Sequence, residues 1–411
     1  MKIFNRKLKI TSSALLTLCM VFVMTACAEN SSQSEKSQPA EQTTVQPTTM
    51  SAEEINDRKL DKFISDMTLE EKVGQMFFVR CPDKDAVQQV SEYNIGGYIL
   101  FGRDFDGKTK DEVVDDIHSY QNEADIPLLI GVDEEGGTVV RVSSNPNLRE
   151  TPFLSPKDTY ADGGWDAVKQ DAEGKADLLL SLGINVNLAP VCDMTSNEYG
   201  FMYDRSFSSD VDMENRYVRT VVETSKSKKL GTVLKHFPGY GNNSDTHTGI
   251  AYDDRDYSEF ENTDFKPFYQ GIESGVDCIL VSHNIVNCMD SEYPASLSQK
   301  VHDILRNEFK FDGVIMTDDL IMDAITDFTG DEAAAVIAAK CGNDLLCCSS
   351  VDTQYPAVLE AVQNGEISEA QVDASVKRIL KWKQNLGIFN IDTYQKKVKS
   401  TEPTDTVGSE E

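Results

Sequence analysis

The stretch Gly313-Val-Ile-Met-Thr-Asp-Asp319 is a short apolar run that ends in two carboxylates. Its length and composition are typical of a strand that is buried on both faces. Similar runs recur between residues 55 and 392, each followed by a polar loop and then an amphipathic segment. With the opening stretch included, the runs cover residues 74–80, 96–102, 126–133, 184–191, 231–237, 277–283, 313–319 and 344–350.

The segments between the runs have helical patterns, most clearly at residues 111–124 and 331–341. Thr68 and Glu71 have the spacing of a capping box, which predicts the start of a helix that leads into the first run. Eight alternations of strand and helix predict an α/β fold with a single (β/α)8 TIM-type barrel. A doubly wound open sheet is the alternative that strand–helix alternation alone leaves open.

The two ends of the chain differ from this repeating pattern. Residues 1–26 combine a basic start with an apolar stretch, as export signals do. The sequence Met24-Thr-Ala-Cys27 resembles a bacterial lipobox, which predicts a lipoprotein signal peptide and a lipidated Cys27. An uncleaved anchor or plain secretion is the alternative. We therefore expect residues 27–54 to be a lipidated tether, 55–392 a catalytic domain and 393–411 a polar tail, in a protein held outside the cell membrane by its lipid.

Composition narrows the classes of partner. The formal net charge is −30, so nucleic acid is not an expected partner, because phosphate recognition needs a basic surface. Of the nine cysteines, several lie in apolar runs. We interpret most of them as buried thiols, and a single disulfide bond remains an alternative.

Charged residues end seven of the eight runs, although charged side chains rarely end fully buried strands by chance. In a barrel, the carboxyl ends of the strands meet at one mouth, where catalytic groups lie. The sequence therefore predicts a polar site at that mouth. The residues expected there are Arg80, Arg103, Asp133 with Glu134, Asp193, Lys235 with His236, His283, and Asp318 with Asp319.

Two groups have the chemistry of a catalytic pair. Asp318 follows a buried strand directly, so its carboxylate is a candidate nucleophile. Either Asp318 or Asp319 could instead cap the next helix. Asp245 and His247 lie two residues apart in a loop rich in glycine and asparagine, where the carboxylate could orient the imidazole for proton transfer. An unrelated surface pair is the alternative.

Other residues are candidates for binding a substrate. Lys235 and His236 offer donors, and Asp133 and Arg141 offer an acceptor and a donor on either side of a Gly-Gly turn. Arg205 could bind substrate or form a structural salt bridge.

A carboxylate nucleophile and a mobile acid/base fit the cleavage of a glycosidic bond through a covalent intermediate. Two other classes use the same residues. A metal-dependent barrel hydrolase would take ligands from His236, His247, His283, Asp193 and Asp318, although no HxH, HExxH or CxxC motif occurs. A sugar-binding lipoprotein is the third class, but such proteins usually have two lobes of open sheet.

Six motifs occur in the order found in family-three glycoside hydrolases, over roughly residues 55–390. They are MTLEEKVGQMFF, IGGYILFGRD, GVDEEGGTVVRV, YDRSFSSD, KHFPGYG with the following Asp-Thr-His, and GVIMTDDLIMDAI. The chain most resembles the β-N-acetylglucosaminidase (β-hexosaminidase) branch. The resemblance implies a TIM-type barrel, a retaining mechanism, and neither metal nor cofactor.

The resemblance also implies roles for individual residues. Asp318 matches the nucleophile of the family, and His247 matches the acid/base of this branch with Asp245 as its partner. Five more residues match sugar-contacting positions, namely Asp133, Arg141, Arg205, Lys235 and His236. The presence of the Asp-Thr-His element favours this branch over the β-glucosidases.

Two features depart from the family pattern. Tyr240 stands where the family has a histidine, and the loop to Asp245 is about one residue short. A histidine acid/base carries no negative charge, so phosphorolysis remains an alternative to hydrolysis. We expect a glycosidase that releases terminal β-linked N-acetylglucosamine from cell-wall muropeptides or chitooligosaccharides.

Overall fold

A computed structural model gives the structure of residues 50–243, 246, 249–329 and 334–396. The predicted signal peptide, Cys27 and the catalytic candidates Asp245 and His247 lie outside the described residues. From Ser51 onward the chain forms one compact unit.

The strands are short, as the apolar runs predict, and most are fully buried. Their bounds are β1 Phe77–Arg80, β2 Gly97–Leu100, β3 Leu129–Val132, β4 Glu134–Gly136, β5 Val139–Val140, β6 Val186–Asn187, β7 Gly231–Phe237, β8 Tyr252–Asp253, β9 Cys278–Val281, β10 Ile285–Val286, β11 Val314–Thr317 and β12 Leu346–Cys348.

Eight of these strands form one parallel sheet in the order β11-β9-β7-β6-β3-β2-β1-β12. Neighbours in this order are consecutive among the eight along the chain, except that the first strand, β1, pairs with the last, β12. A parallel bridge between Met316 and Leu345 joins the last two strands, so the sheet closes on itself. The predicted barrel is confirmed, and the open doubly wound sheet was the wrong alternative. Two small pairs, β4–β5 and β8–β10, lie outside the barrel sheet.

Side chains alternate between two cores along each barrel strand. In β1, Phe78 packs with Ile99, Leu129 and Met316 in one cluster, whereas Phe77 and Val79 pack in a second cluster with residues of the surrounding helices. Because successive residues of a strand point to opposite faces, the first cluster fills the barrel and the second lies between strands and helices. Continuous apolar runs are what burial on both faces requires.

The helices alternate with the barrel strands, and no described helix is long and apolar enough to cross a membrane. A capping box at Thr68 and Glu71 begins α2, as the sequence predicts. The bounds are α1 Ala52–Ser65, α2 Leu69–Gln75, α3 Ala86–Tyr93, α4 Gly102–Phe105, α5 Lys110–Glu123, α6 Pro156–Ser181 with a kink at Gly163 and Gly164, α7 Val211–Ser227, α8 Tyr257–Asn262, α9 Phe265–Glu273, α10 Gln299–Asp303, α11 Asp323–Thr329, α12 Ala334–Lys340, α13 Val351–Gln363 and α14 Glu369–Asn385.

The last helix contacts the amino-terminal end of the barrel. Trp382 of α14 is buried in the cluster that fills the barrel, and a side chain at Gly231, where β7 begins, would meet its indole ring at 3.1 Å. The carboxyl ends of the strands therefore form the opposite, open end.

Candidate active site

A cavity of about 480 Å³ lies at the carboxyl ends of the barrel strands. Apolar side chains such as Ile99, Leu188 and Leu280 line part of it. Its ionisable side chains are Arg80, Asp133, Glu135, Arg141, Arg205, Lys235, His236, Tyr240, Asp318 and Asp319. An apolar cavity with a few convergent polar groups is the usual form of a ligand site.

One wall is a buried cluster of two cations and two carboxylates. Lys235 Nζ lies 2.6 Å from Asp133 Oδ1 and 2.6 Å from Glu135 Oε1. Arg205 forms a two-pronged pair with Glu135, donating from Nε at 2.9 Å and from Nη2 at 2.8 Å. The Glu135 side chain is only 2% exposed, so both cations are held in fixed positions.

The charges of this cluster stabilise each other. Burial alone would raise the pKa of Glu135, but Lys235 and Arg205 outweigh it and hold that pKa well below its usual value. Burial opposes the charge of Lys235 as well, yet Asp133 and Glu135 raise the pKa of its ammonium group. Glu135, Lys235 and Arg205 are therefore charged at neutral pH, and the cluster presents fixed donors and acceptors at the cavity.

Asp193 fixes His236 through contacts with both its backbone N–H and its ring. The Asp193 carboxylate accepts from the His236 backbone at 3.0 Å and lies 2.7 Å from its ring nitrogen Nδ1. The other ring nitrogen, Nε2, lies 3.3 Å from Arg205 Nη2. The second oxygen of Asp193 accepts from the backbone N–H of Tyr240 at 2.7 Å. Asp193 is 1% exposed, so it supports the site and does not line it.

Asp318 directly follows β11, and its carboxylate is part of the cavity wall. Its Oδ1 accepts from the backbone N–H of Asp319 at 2.9 Å. Asp319 makes different contacts, because its carboxylate accepts from Ser349 Oγ at 2.8 Å and from the backbone N–H of Ile321. Burial raises the pKa of Asp319, and the neighbouring Asp318 raises it further. The two adjacent carboxylates thus have separate environments, and Asp319 links β11 to Ser349, which follows β12.

Two arginines lie over the ring of Phe101 at the cavity. The guanidinium carbon of Arg80 is 4.3 Å from the ring centroid and that of Arg141 is 5.9 Å from it. Nε of each is buried without a hydrogen-bond partner among the described residues. Arg141 and Asp133 do not pair with each other, since Asp133 binds Lys235. Both side chains line the cavity, so the outer nitrogens of their guanidinium groups can donate to a ligand.

Six of the ten predicted strand-end residues line this cavity, but Arg103, Glu134, Asp193 and His283 do not. Arg103 lies in α4, where it pairs with Asp83 at 2.7 Å. His283 is fully buried, with Nδ1 2.7 Å from Ser296 Oγ and Nε2 donating to the Asp319 carbonyl at 3.0 Å. The expectation that every charged strand end lines the mouth was wrong for these two residues, for Asp193, which supports His236 from behind the cavity, and for Glu134.

Glu135 lies in the cavity, where the sequence predicted Glu134. Glu134 accepts from the backbone N–H groups of Arg141 and Val142 at 2.9 and 2.7 Å, so it holds the β4–β5 turn together. Glu135, which the sequence did not single out, lies beside Lys235 in the cavity. The signal was present, because residues 133 and 135 share one face of an extended segment and residue 134 lies on the other.

A closed parallel barrel with acidic and basic side chains at the carboxyl ends of its strands has the architecture of a TIM-barrel enzyme. The model of the glycosyl hydrolase family 3 N-terminal domain matches residues 68–382. A β-hexosaminidase of Hydrogenovibrio crunogenus is 31% identical over 286 residues, which cover 68% of this chain and 79% of that protein. The chain belongs to glycosyl hydrolase family 3, and it is a glycosidase.

Solved structures are similar over the same region. A family 3 β-N-acetylglucosaminidase from Paenibacillus sp. has a TM-score of 0.74 at 30% identity, over 84% of this chain and 66% of that chain. A β-N-acetylhexosaminidase from Beutenbergia cavernae has a TM-score of 0.71 at 25% identity, over 78% of this chain and 99% of that chain.

Proposed function

We propose that the enzyme removes non-reducing terminal β-linked N-acetylglucosamine from cell-wall fragments or chitin-type oligosaccharides, with retention of configuration. The observation that carries this proposal is Asp318, a strand-end carboxylate in a cavity whose facing groups are the charged donors and acceptors of the Lys235–Glu135–Arg205 cluster. Relatives named as β-hexosaminidases support the choice of sugar.

The proposed reaction has two steps. Asp318 attacks the anomeric carbon and forms a covalent glycosyl-enzyme while His247, oriented by Asp245, protonates the departing oxygen. His247 then takes a proton from water while the water oxygen bonds to the anomeric carbon and the bond to Asp318 breaks, which releases the sugar and restores the carboxylate. The roles of His247 and Asp245 rest on the sequence motif, because both lie outside the described residues.

The remaining cavity groups would bind the sugar. Lys235, His236, Arg205 and Arg141 would donate to hydroxyl or amide oxygens, and Asp133 would accept from a hydroxyl. Because their partners fix these side chains before a ligand arrives, little side-chain entropy is lost on binding.

The test is an aryl β-N-acetylglucosaminide assay on the purified protein, with products identified and with inorganic phosphate present or absent. We expect N-acetylglucosamine as the product under both conditions. A sugar 1-phosphate formed only with phosphate would establish phosphorolysis instead. A protein that binds the sugar but yields no product would contradict the enzymatic role.

Replacing the nucleophile tests the central residue. Asp318→Ala should lower kcat by at least about a thousandfold, because the covalent intermediate can no longer form. Asp312→Ala is the matched control, since the Asp312 side chain is 86% exposed and does not line the cavity. Unchanged turnover in Asp318→Ala would disprove the assignment.

We also propose that the protein is anchored outside the cell membrane through a lipid on Cys27. This proposal is supported by the sequence of residues 1–27 alone.

A further inference from the structure

Tyr240 is a buried residue of the cavity wall whose ring, backbone and hydroxyl group all contact neighbouring residues. Its side chain lies in the cavity wall, and the residue is 1% exposed. The ring meets His236 edge to face, with centroids 5.2 Å apart and an interplanar angle of 90°. It also contacts Phe201 at 5.7 Å. The backbone N–H binds Asp193, as described above, so both the main chain and the ring are held in place.

The hydroxyl group of Tyr240 forms a hydrogen bond with Thr246 Oγ1. Thr246 is fully buried, and its neighbours in sequence are Asp245 and His247. Burial raises the pKa of Tyr240, and the charge of nearby Asp318 raises it further. The phenol therefore stays neutral over the working range of the enzyme, and its hydrogen bond to Thr246 does not depend on pH.

We propose that Tyr240 is a positioning residue that fixes Thr246 and thereby sets the place of the acid/base His247 relative to Asp318. The inference rests on the proposed function, since it assumes that His247 transfers the proton. Tyr240 does not need to touch the sugar in this role, because its one polar side-chain atom is already bound to Thr246. A histidine at this position would be shorter and would titrate, so it could not replace this contact at every pH.

The experiment compares Tyr240→Phe with the wild type on two β-N-acetylglucosaminides. One has a dinitrophenyl leaving group, which departs without protonation, and the other has a sugar leaving group, which needs an acid. If Tyr240 positions the acid/base, kcat/KM should fall about tenfold for the sugar substrate and stay nearly constant for the dinitrophenyl substrate. A residue that merely binds sugar or supports the fold would lower kcat/KM equally for both.

The second step of the reaction gives an independent readout. On the dinitrophenyl substrate, kcat of Tyr240→Phe should fall, because hydrolysis of the glycosyl-enzyme still needs a general base. Azide needs no base to attack, so it should restore kcat and yield the β-glycosyl azide. Thr246→Val removes the other partner of the same hydrogen bond and should give the same pattern. In the double variant the two effects should not add.

Controls separate this inference from the function on which it rests. Tyr252→Phe changes a tyrosine that is 58% exposed and should leave all rates unchanged. His247→Ala should show the same dependence on the leaving group as Tyr240→Phe, but more strongly. If His247→Ala lacks that dependence, the proposed acid/base is wrong. If His247→Ala shows it and Tyr240→Phe does not, only the role of Tyr240 is refuted.

Discussion

Glu135 is the residue that holds two cations at one side of the cavity. Lys235 and Arg205 each bind its carboxylate, whereas Asp133 binds Lys235 alone. Without the charge of Glu135, two buried cations would share a single counter-ion. Removing one partner of a buried ion pair is costly, because the remaining charge stays desolvated.

Glu135→Gln tests this role with almost no change of shape. We expect the free energy of unfolding to fall by about 2–4 kcal/mol at pH 7 and kcat/KM to fall more than about tenfold. Thermal unfolding and steady-state kinetics measure the two effects. Glu150→Gln, at an exposed position, is the control. Unaltered stability and activity would show that Asp133 alone balances the two cations.

The same variant has a defined pH dependence. The pKa of Glu135 is lower in the folded protein than its usual value of 4.5, so its stabilising effect is fully present above that value. The effect is lost as pH falls from 4.5 toward the folded pKa. The stability difference between wild type and Glu135→Gln should therefore shrink below pH 4.5. A difference that stays constant down to pH 3 would contradict an ionic role.

The sequence predicts most of the residues around Glu135 in the cavity, but it does not single out Glu135 itself. Strand ends and motif positions predict that Asp318, Lys235, His236 and Asp133 face one cavity, and the structure places all four there. They select Glu134 because it follows Asp133 at the end of the run, whereas the alternation along an extended segment puts Glu135, not Glu134, on the same face as Asp133. The difference arises from the β4–β5 hairpin, which turns at Gly136 and Gly137 with φ angles of 102° and 64° and brings the backbone N–H groups of Arg141 and Val142, just after β5, to the Glu134 carboxylate.

At the scale of elements, the apolar runs predict each barrel strand but not how the chain leaves it. After β2 the chain turns at once into α4, which carries Arg103 away from the cavity and toward Asp83. After β9, His283 is buried in the core, where its ring binds Ser296, which lies beyond β10 in the chain. Such departures depend on tertiary partners, which periodicity in the sequence does not encode.

Helix α14 contains a lysine whose burial makes a separate prediction. Lys383 is 0% exposed, and Nζ donates to Gln75 Oε1 at 2.7 Å. Burial lowers the pKa of Lys383 to about 7, from an ordinary value of 10.5. Below pH 7 the folded state carries a desolvated charge. Between pH 7 and 10.5 the unfolded state holds more protons, so the contribution of Lys383 to stability rises with pH.

Lys383→Met removes this titration while keeping most of the side-chain volume. Relative to this variant, wild-type stability should increase by about 1 kcal/mol for each pH unit from pH 7.5 to 9.5. Urea unfolding of both proteins at several pH values measures the difference. Lys340→Met, at a side chain that is 46% exposed, should show no such trend. A flat difference would mean that Lys383 stays protonated in the folded state.

At the scale of the whole molecule, the compact unit that begins at Ser51 contains all of the described cavity residues. Helix α1 contributes Leu60 and Ile64 to the core, so the boundary lies just before a packed element. We therefore expect a protein that begins at Ser51 to retain catalysis, and the proposed role of residues 1–50 is to set where the enzyme works.

Replacing the proposed lipidation site tests that role without touching the active site. Cys27→Ser should move the enzyme from the membrane fraction to the soluble extracytoplasmic fraction and abolish palmitate labelling, while kcat and KM stay the same. A single acyl chain binds membranes weakly and two bind stably, so the loss should be nearly complete. Cys19→Ser, within the apolar part of the signal, is the matched control and should leave fractionation unchanged. If Cys27→Ser still sediments with membranes, residues 1–26 are an uncleaved anchor and the lipid assignment is wrong.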